Sequence, residues 1–193
     1  MGRIARRLLG VVTVAALTSC AGGHDDSGQA SPLVGRPAPS FELPMLDGSQ
    51  FRLADVSGQS IVMVDFWATW CGPCVEEMPL LVQIADEFKS QGVVFCAVNE
   101  GDDAQRIKAF QSAKKLDFPV ALDQTGEAAG KYGVEGIPTL VLVDKNGVIQ
   151  SVHVGYNPGI KRTLRRELLD LLAGKDLAAE AAANRAPKTS SKR

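Results

Sequence analysis

The chain has 193 residues, 45% of them hydrophobic, with 21 Lys and Arg against 22 Asp and Glu and a formal net charge of −1. That balance leaves no basic excess for a phosphate backbone, so nucleic-acid binding is unsupported, and it is too small to steer a charged partner over distance. Four Cys and two His, with Cys20, Cys96, His24 and His153 all isolated, supply no second Cys/His pair for a structural zinc site, so no metal is expected.

Arg3, Arg6 and Arg7 precede a short apolar run, Leu8 to Leu17, too short to span a bilayer as a mature helix. Leu17-Thr18-Ser19-Cys20 closes the run, so residues 1–19 read as a cleaved signal peptide. A Cys at the first mature position resembles the bacterial lipobox, which implies that Cys20 becomes a lipidated N-terminal residue. Cleavage would remove three Arg and no acids, leaving 18 basic against 22 acidic side chains, a net charge of −4. Residues 20–34 carry no apolar period and read as a flexible linker with a reach on the order of 20 Å.

Residues 35–174 have the size of a single domain. Phe41-Glu42-Leu43-Pro44 and Gln50-Phe51-Arg52-Leu53 flank Leu46-Asp47-Gly48-Ser49, a hairpin signal. Ile61 to Trp67 is a continuous apolar run and predicts a buried central strand. Cys74 to Lys89 predicts a helix with Val75, Met78, Val82, Ala85 and Phe88 inward, closed by Gly92, with Pro79 placed to kink it. Val93 to Asn99 is the next strand. Asp102-Asp103 caps a helix carrying Ile107 and Phe110 that ends near Leu116. A strand over Phe118–Leu122 and a short helix over Thr125–Tyr132 follow. Thr139–Val143 and Val148–His153 are strands joined by Asp144-Lys145-Asn146-Gly147. A last helix runs from Asn157-Pro158 to Ala173, with Leu164, Leu168 and Leu171 inward and Gly174 as its stop. Residues 175–193 read as frayed helix and then a disordered tail. The alternation predicts an α/β fold with a mixed central sheet flanked by helices.

Trp70-Cys71-Gly72-Pro73-Cys74 sits where the central strand gives way to the first long helix. A sulfur at a helix N-terminus meets unpaired backbone N–H groups and the positive end of the dipole, which favour thiolate over thiol. Thiolate is the species that attacks disulfides, so the stretch points to thiol–disulfide exchange. A purely structural bridge across so short a loop would gain little chain entropy. Cys96 lies inside Val93-Val94-Phe95-Cys96-Ala97-Val98 and reads as a small core residue.

Asp65-Phe66-Trp67-Ala68, Trp70-Cys71-Gly72-Pro73-Cys74 and Ile137-Pro138-Thr139 together resemble thioredoxin. The lipoprotein signal, the Gly35-Arg36-Pro37-Ala38-Pro39 opening, the extra helix and strand near Asp102–Leu122, and Glu77 three residues after Cys74 narrow the resemblance. The chain resembles membrane-anchored thioredoxin-like proteins of the TlpA/ResA/DsbE type. That resemblance implies a thioredoxin-like fold with an N-terminal β-hairpin and an inserted helix and strand. It also implies that Cys71 is an exposed nucleophile, that Cys74 resolves the mixed disulfide, and that Pro138 is cis. Ile137, Pro138, Trp70, Gly72 and Pro73 would meet the client. Asp65 and Glu77 would be carboxylates able to take the Cys74 proton. Ala97 stands where thioredoxin has a lysine that pairs with the buried acid.

The implied role is extracytoplasmic reduction of disulfides in exported proteins such as apocytochrome c. The domain would be held to the membrane by lipid and recharged by a membrane electron donor of the CcdA/DsbD type. The two thiols carry the electrons, so no cofactor is implied. An oxidase or isomerase would use the same residues, because direction depends on differential thiolate stabilisation. A thiol peroxidase shares the Pro39-x-Phe41 opening but wants Pro-x-x-x-Thr-x-x before its Cys, where this chain has Trp67-Ala68-Thr69-Trp70. A copper metallochaperone wants Cys-x-x-x-Cys and a distal His, whereas here the spacing is one residue short and only His153 is available.

Overall fold

The computed structural model describes residues 31–185. Cys20, the expected signal peptide and most of the expected linker lie outside the described residues, as do residues 186–193. The elements in chain order are β1 (Glu42–Pro44), β2 (Gln50–Arg52), α1 (Leu53–Val56), β3 (Ile61–Trp67), α2 (Gly72–Phe88), β4 (Val93–Glu100), α3 (Ala104–Lys114), β5 (Val120–Asp123), α4 (Glu127–Lys131), β6 (Thr139–Val143), β7 (Ile149–Val154), α5 (Ile160–Leu172) and α6 (Leu177–Arg185).

All seven residues of β3 are buried. Its Ile-Val-Met-Val-Asp-Phe-Trp sequence is rich in β-branched and aromatic side chains and lacks polar alternation, as a strand covered on both faces requires. β3 pairs in parallel with β4 and antiparallel with β6, and the five-stranded sheet runs β5-β4-β3-β6-β7. The result is a mixed sheet with thioredoxin-like topology.

The two faces carry separate cores. On one, Met63, Trp67, Phe95 and Leu142 pack against Met78, Leu81 and Ile84 of α2, Ile107 of α3, and Ile160, Leu164 and Leu168 of α5. On the other, Val64, Phe66, Cys96 and Val98 pack against Phe41 and Leu43 near the hairpin and Ala128 and Tyr132 around α4. Cys96 is wholly buried.

The β5 edge and the start of the β7 edge are covered. Met45 bridges Ala121 on β5, so the hairpin lies on that edge. Pro37 bridges Val148, and Gly35 N–H donates to the Ile149 carbonyl at 2.8 Å, so the incoming chain lies along the start of β7. Covering the unpaired backbone this way removes a template for strand addition.

Element ends differ from the sequence reading for local reasons. α2 begins at Gly72 because Cys71 is its N-cap, runs through Pro79 as one helix, and gives way to a 3₁₀ turn closed by left-handed Gly92. Its buried face includes Leu81 and Ile84 rather than Val75 and Ala85, since both the sheet and α5 cover it. α5 starts at Ile160, because the Asn157 side chain accepts the Gly159 N–H at 2.7 Å and spends those residues on a turn. Residues 31–34, expected as linker, form a turn with Leu33 and Val34 packed on the core. α6 lies beyond the expected domain end at Gly174; Ala178 is buried and its N–H donates to Gln150 Oε1 at 3.1 Å.

Leu164 sits on the buried face of α5 with no exposed surface. Leu164→Ala is expected to cost about 2–5 kcal/mol, read as a lower urea midpoint at unchanged slope.

Candidate active site

The chain leaves β3 at Trp67 and turns through Ala68-Thr69-Trp70, with Cys71 N–H donating to the Ala68 carbonyl at 3.2 Å. Cys71 holds an extended backbone and caps α2: its Sγ accepts the Cys74 N–H at 3.2 Å. Pro73 occupies the first turn, where its missing N–H costs nothing. Cys71 and Cys74 are joined as a disulfide with a Cα separation of 5.2 Å. Cys71 is 6% exposed and Cys74 1%. Cys71 is therefore the more accessible sulfur, but far less open than the expected exposed nucleophile. Its neighbour Trp70 is 64% exposed and projects an indole into solvent.

The Ile137-Pro138 peptide is cis, and the Ile137 carbonyl oxygen lies 3.6 Å from Cys71 Sγ. Register places it there: Phe66 pairs with Thr139, so the residues just before β6 fall beside those just after β3. Thr139 Oγ1 donates to the Gly136 carbonyl at 2.7 Å, and Gly155 N–H donates to the Pro138 carbonyl at 2.8 Å, fixing the loop from both sides. Val154, opposite Thr139 on β7, is 71% exposed, and Tyr156 follows it as a second exposed apolar side chain. Together with Trp70 these give the cysteine end of the domain an apolar rim.

Asp102 holds the turn before Cys71. Its carboxylate accepts the Thr69 N–H at 2.7 Å, the Thr69 hydroxyl at 2.8 Å and Asn99 Nδ2 at 3.0 Å, while its own N–H donates to Asn99 Oδ1 at 3.0 Å. The sequence reading gave Asp102 a share in capping α3. Asp103 alone does that, accepting the Arg106 N–H at 2.8 Å. A sequence signal for Asp102 existed only as an unexplained second acid beside the cap.

Two carboxylates lie beneath the cysteines. Asp65 on β3 is buried, and its register partners are Ala97 and Leu140, neither of which can pair with a charge. Burial, and then the nearby Glu77, hold its carboxyl well above the ordinary carboxylate range. Glu77 on α2 is equally buried, whereas its neighbour Glu76 is exposed. Burial pushes Glu77 up to about 7, against a smaller downward pull from His153. Asp65 Oδ1 and Glu77 Oε2 receive no hydrogen bond from the protein, which favours their neutral forms. A carboxyl that titrates near neutrality, three residues after Cys74 on one helix, can act as acid or base for that thiol. Cys96 on the other face is different: burial, and then Asp65, raise its thiol far above the reactive range.

His153 Nε2 lies 2.8 Å from Glu167 Oε2 on α5, and the Ser151 hydroxyl donates to the same oxygen at 3.1 Å. The sequence reading weighed His153 only as an isolated metal ligand. Its period-2 relation to Ser151 was the available signal; Ile149 falls on the opposite face because the β6–β7 register shifts between Leu142 and Val143. Among the described residues no group of three or more His, Cys, Asp or Glu is placed to hold a metal ion.

Residues 34–152 match the AhpC/TSA family. The thiol-disulfide oxidoreductase ResA of Geobacillus thermodenitrificans is 38% identical over 122 residues, which cover 63% of this chain and 70% of that protein. Among solved structures, a DsbE-type thiol:disulfide interchange protein from Chlorobium tepidum aligns with a TM-score of 0.67 at 37% identity, covering 72% of this chain and 97% of that one. StoA from Bacillus subtilis aligns with a TM-score of 0.58 at 27% identity, covering 70% of this chain and 98% of that one.

Glu77→Gln is expected to slow the attack of Cys74 on a mixed disulfide by about a hundredfold, while exposed Glu76→Gln leaves it unchanged; stopped-flow thiol release checks this. The same variant tests linkage. Glu77 titrates near 7 when folded against 4.5 as an ordinary Glu, so the native state loses stability as pH rises from the lower value through the higher one. Glu77→Gln should therefore raise the denaturation midpoint above neutral pH and leave it unchanged below about pH 4.5.

Proposed function

The chain belongs to the AhpC/TSA family and is a thiol-disulfide oxidoreductase, and from that premise we propose that it reduces disulfides of exported proteins on the extracytoplasmic side of a membrane. The observation that carries the reading is the Cys71–Cys74 pair at the N-terminus of α2, set against the cis Ile137-Pro138 peptide.

In the reaction, the Cys71 thiolate attacks one sulfur of the client disulfide and the other client sulfur leaves as a thiolate. The α2 dipole and the Cys74 N–H stabilise the attacking thiolate. Backbone groups of Ile137 beside the cysteines are available to an extended client segment, and Trp70, Gly72, Pro73 and Pro138 line its approach. Cys74 then gives its proton to Glu77, with Asp65 as the deeper carboxylate of the pair, and attacks Cys71 Sγ. The Cys71–Cys74 bond forms, the mixed disulfide breaks, and two electrons have passed to the client. A membrane-embedded dithiol donor of the CcdA/DsbD type would restore the reduced pair, and apocytochrome c is a client of suitable chemistry.

The Gly72-Pro73 dipeptide between the cysteines supports the reducing direction over the oxidase or isomerase alternative. The Cys71/Cys74 midpoint potential, measured against a glutathione or dithiothreitol buffer, decides between them. A value near that of thioredoxin, about −270 mV, fits a reductase, and one near −120 mV fits an oxidase. Cys71→Ser is expected to abolish disulfide reduction, and Cys74→Ser to accumulate a mixed disulfide with client protein. Alkylation of Cys74 ahead of Cys71 in the reduced protein would reverse the roles.

Membrane attachment rests on Cys20 as lipid acceptor. No helix among the described residues is long and apolar enough to cross a membrane. Cys20→Ser is expected to move the protein from the detergent phase to the aqueous phase without changing its activity in solution. An unmodified mass at Cys20 in the wild-type protein would remove the anchor.

A further inference from the structure

His153 has no part in the chemistry described so far, yet its position is tied to it. Leu140 pairs with Asp65 on one side and with His153 on the other. Residues directly opposite in antiparallel strands share a face, so Asp65, Leu140 and His153 form a row across the sheet on the face covered by α2 and α5. Two strand spacings separate Asp65 from His153, roughly 10 Å. Glu77 lies over this same face on α2, and α5 packs directly on α2.

The imidazole is held rather than free. Glu167 Oε2 lies 2.8 Å from Nε2, and the same oxygen takes the Ser151 hydroxyl. A carboxylate only accepts, so Nε2 donates to Glu167. The groups that face this cluster are Asp65 from β3, Glu77 from α2 and Glu167 from α5; β6 contributes only the uncharged Leu140 opposite. Of the four cations of α5, Arg165 pairs with Glu87 and Lys161 with Gln83, and Arg162 and Arg166 are exposed on its outer face. Among the described residues, His153 is therefore the positive charge available to the buried carboxylate pair.

We propose that His153 is a positioning residue for the proton transfer: clamped by Glu167 on the sheet face beneath α2, its imidazole, when protonated, sets a positive charge toward Glu77 and favours the ionised Glu77 that receives the Cys74 proton. This rests on Glu77 being the base. In that step the Cys74 S–H proton passes to the Glu77 carboxylate. The sulfur electron pair forms the bond to Cys71 Sγ, and the client sulfur leaves with the electrons of the bond that breaks. The charged imidazole favours the Glu77 carboxylate, the only form that can accept; the pull of His153 on Glu77 has that sign.

The test uses the reduced full-length protein and an aromatic disulfide that releases one coloured thiolate when Cys71 attacks and a second when Cys74 attacks. His153→Gln keeps a donor for Glu167 and removes the charge. The pH midpoint of the second phase is expected to move up by about half a unit, with the first phase unchanged. His153→Lys, permanently charged, is expected to move that midpoint down, and it decides the matter alone if His153→Gln does not fold. In a Glu77→Gln background neither substitution should move the profile further. A second-phase midpoint unmoved by either substitution, in a protein whose profile does respond to Glu77→Gln, overturns the role of His153. A shift that persists without Glu77 overturns it as well. A wild-type profile for Glu77→Gln alone instead removes Glu77 as the base, and the present inference with it.

Discussion

The double pairing of β3 is the constraint on which the rest of the molecule depends. A strand bonded to β4 on one side and β6 on the other, and buried on both faces, has no freedom of register: a slip of one residue would send Asp65 and Trp67 to the hairpin side and Val64 and Phe66 to the α2 side. With register fixed, the exit of β3 and the entry of β6 must be neighbours. The cysteines follow one and the cis peptide precedes the other. The site is thus a by-product of sheet pairing, and its sulfur-to-carbonyl contact joins residues 66 positions apart.

The same strand carries the most expensive residue in the fold. An acid at the centre of an otherwise apolar strand, with Ala97 and Leu140 beside it, has no partner that would repay its desolvation as an ion. A second acid is then brought over it by α2. Glu77 raises the proton affinity of Asp65 and burial raises that of both, so the two carboxyls can hold protons beneath two sulfurs that must gain and lose them in every turnover. The tight apolar packing around them excludes the water that would otherwise set their titration.

What could be read from sequence follows the range of the signals. Apolar runs, Gly stops and hairpin dipeptides act over a few residues, and they placed the strands and most helices within a residue or two. The Cys pair, Pro138 and the two acids were legible because their motif is compact. Asp102 was not, because its meaning lies in Thr69, 33 residues away. His153 was read as isolated because Glu167 is 14 residues off on a helix with no reason of its own to carry a lone acid there. α6 is Ala-rich without an apolar stripe, so nothing in its pattern announced that Ala178 would be buried.

The incoming chain meets the sheet at Val148 and Ile149, where β7 begins. β7 runs parallel to β3, and the pairing of Val62 with Val143 and of Val143 with Ile149 puts that meeting point at the start of β3. The sulfurs lie past its other end. The domain is therefore bipolar: chain entry at one pole, chemistry at the other, with the length of the sheet between them. Gly35 thus enters the sheet at the pole farthest from the cysteines.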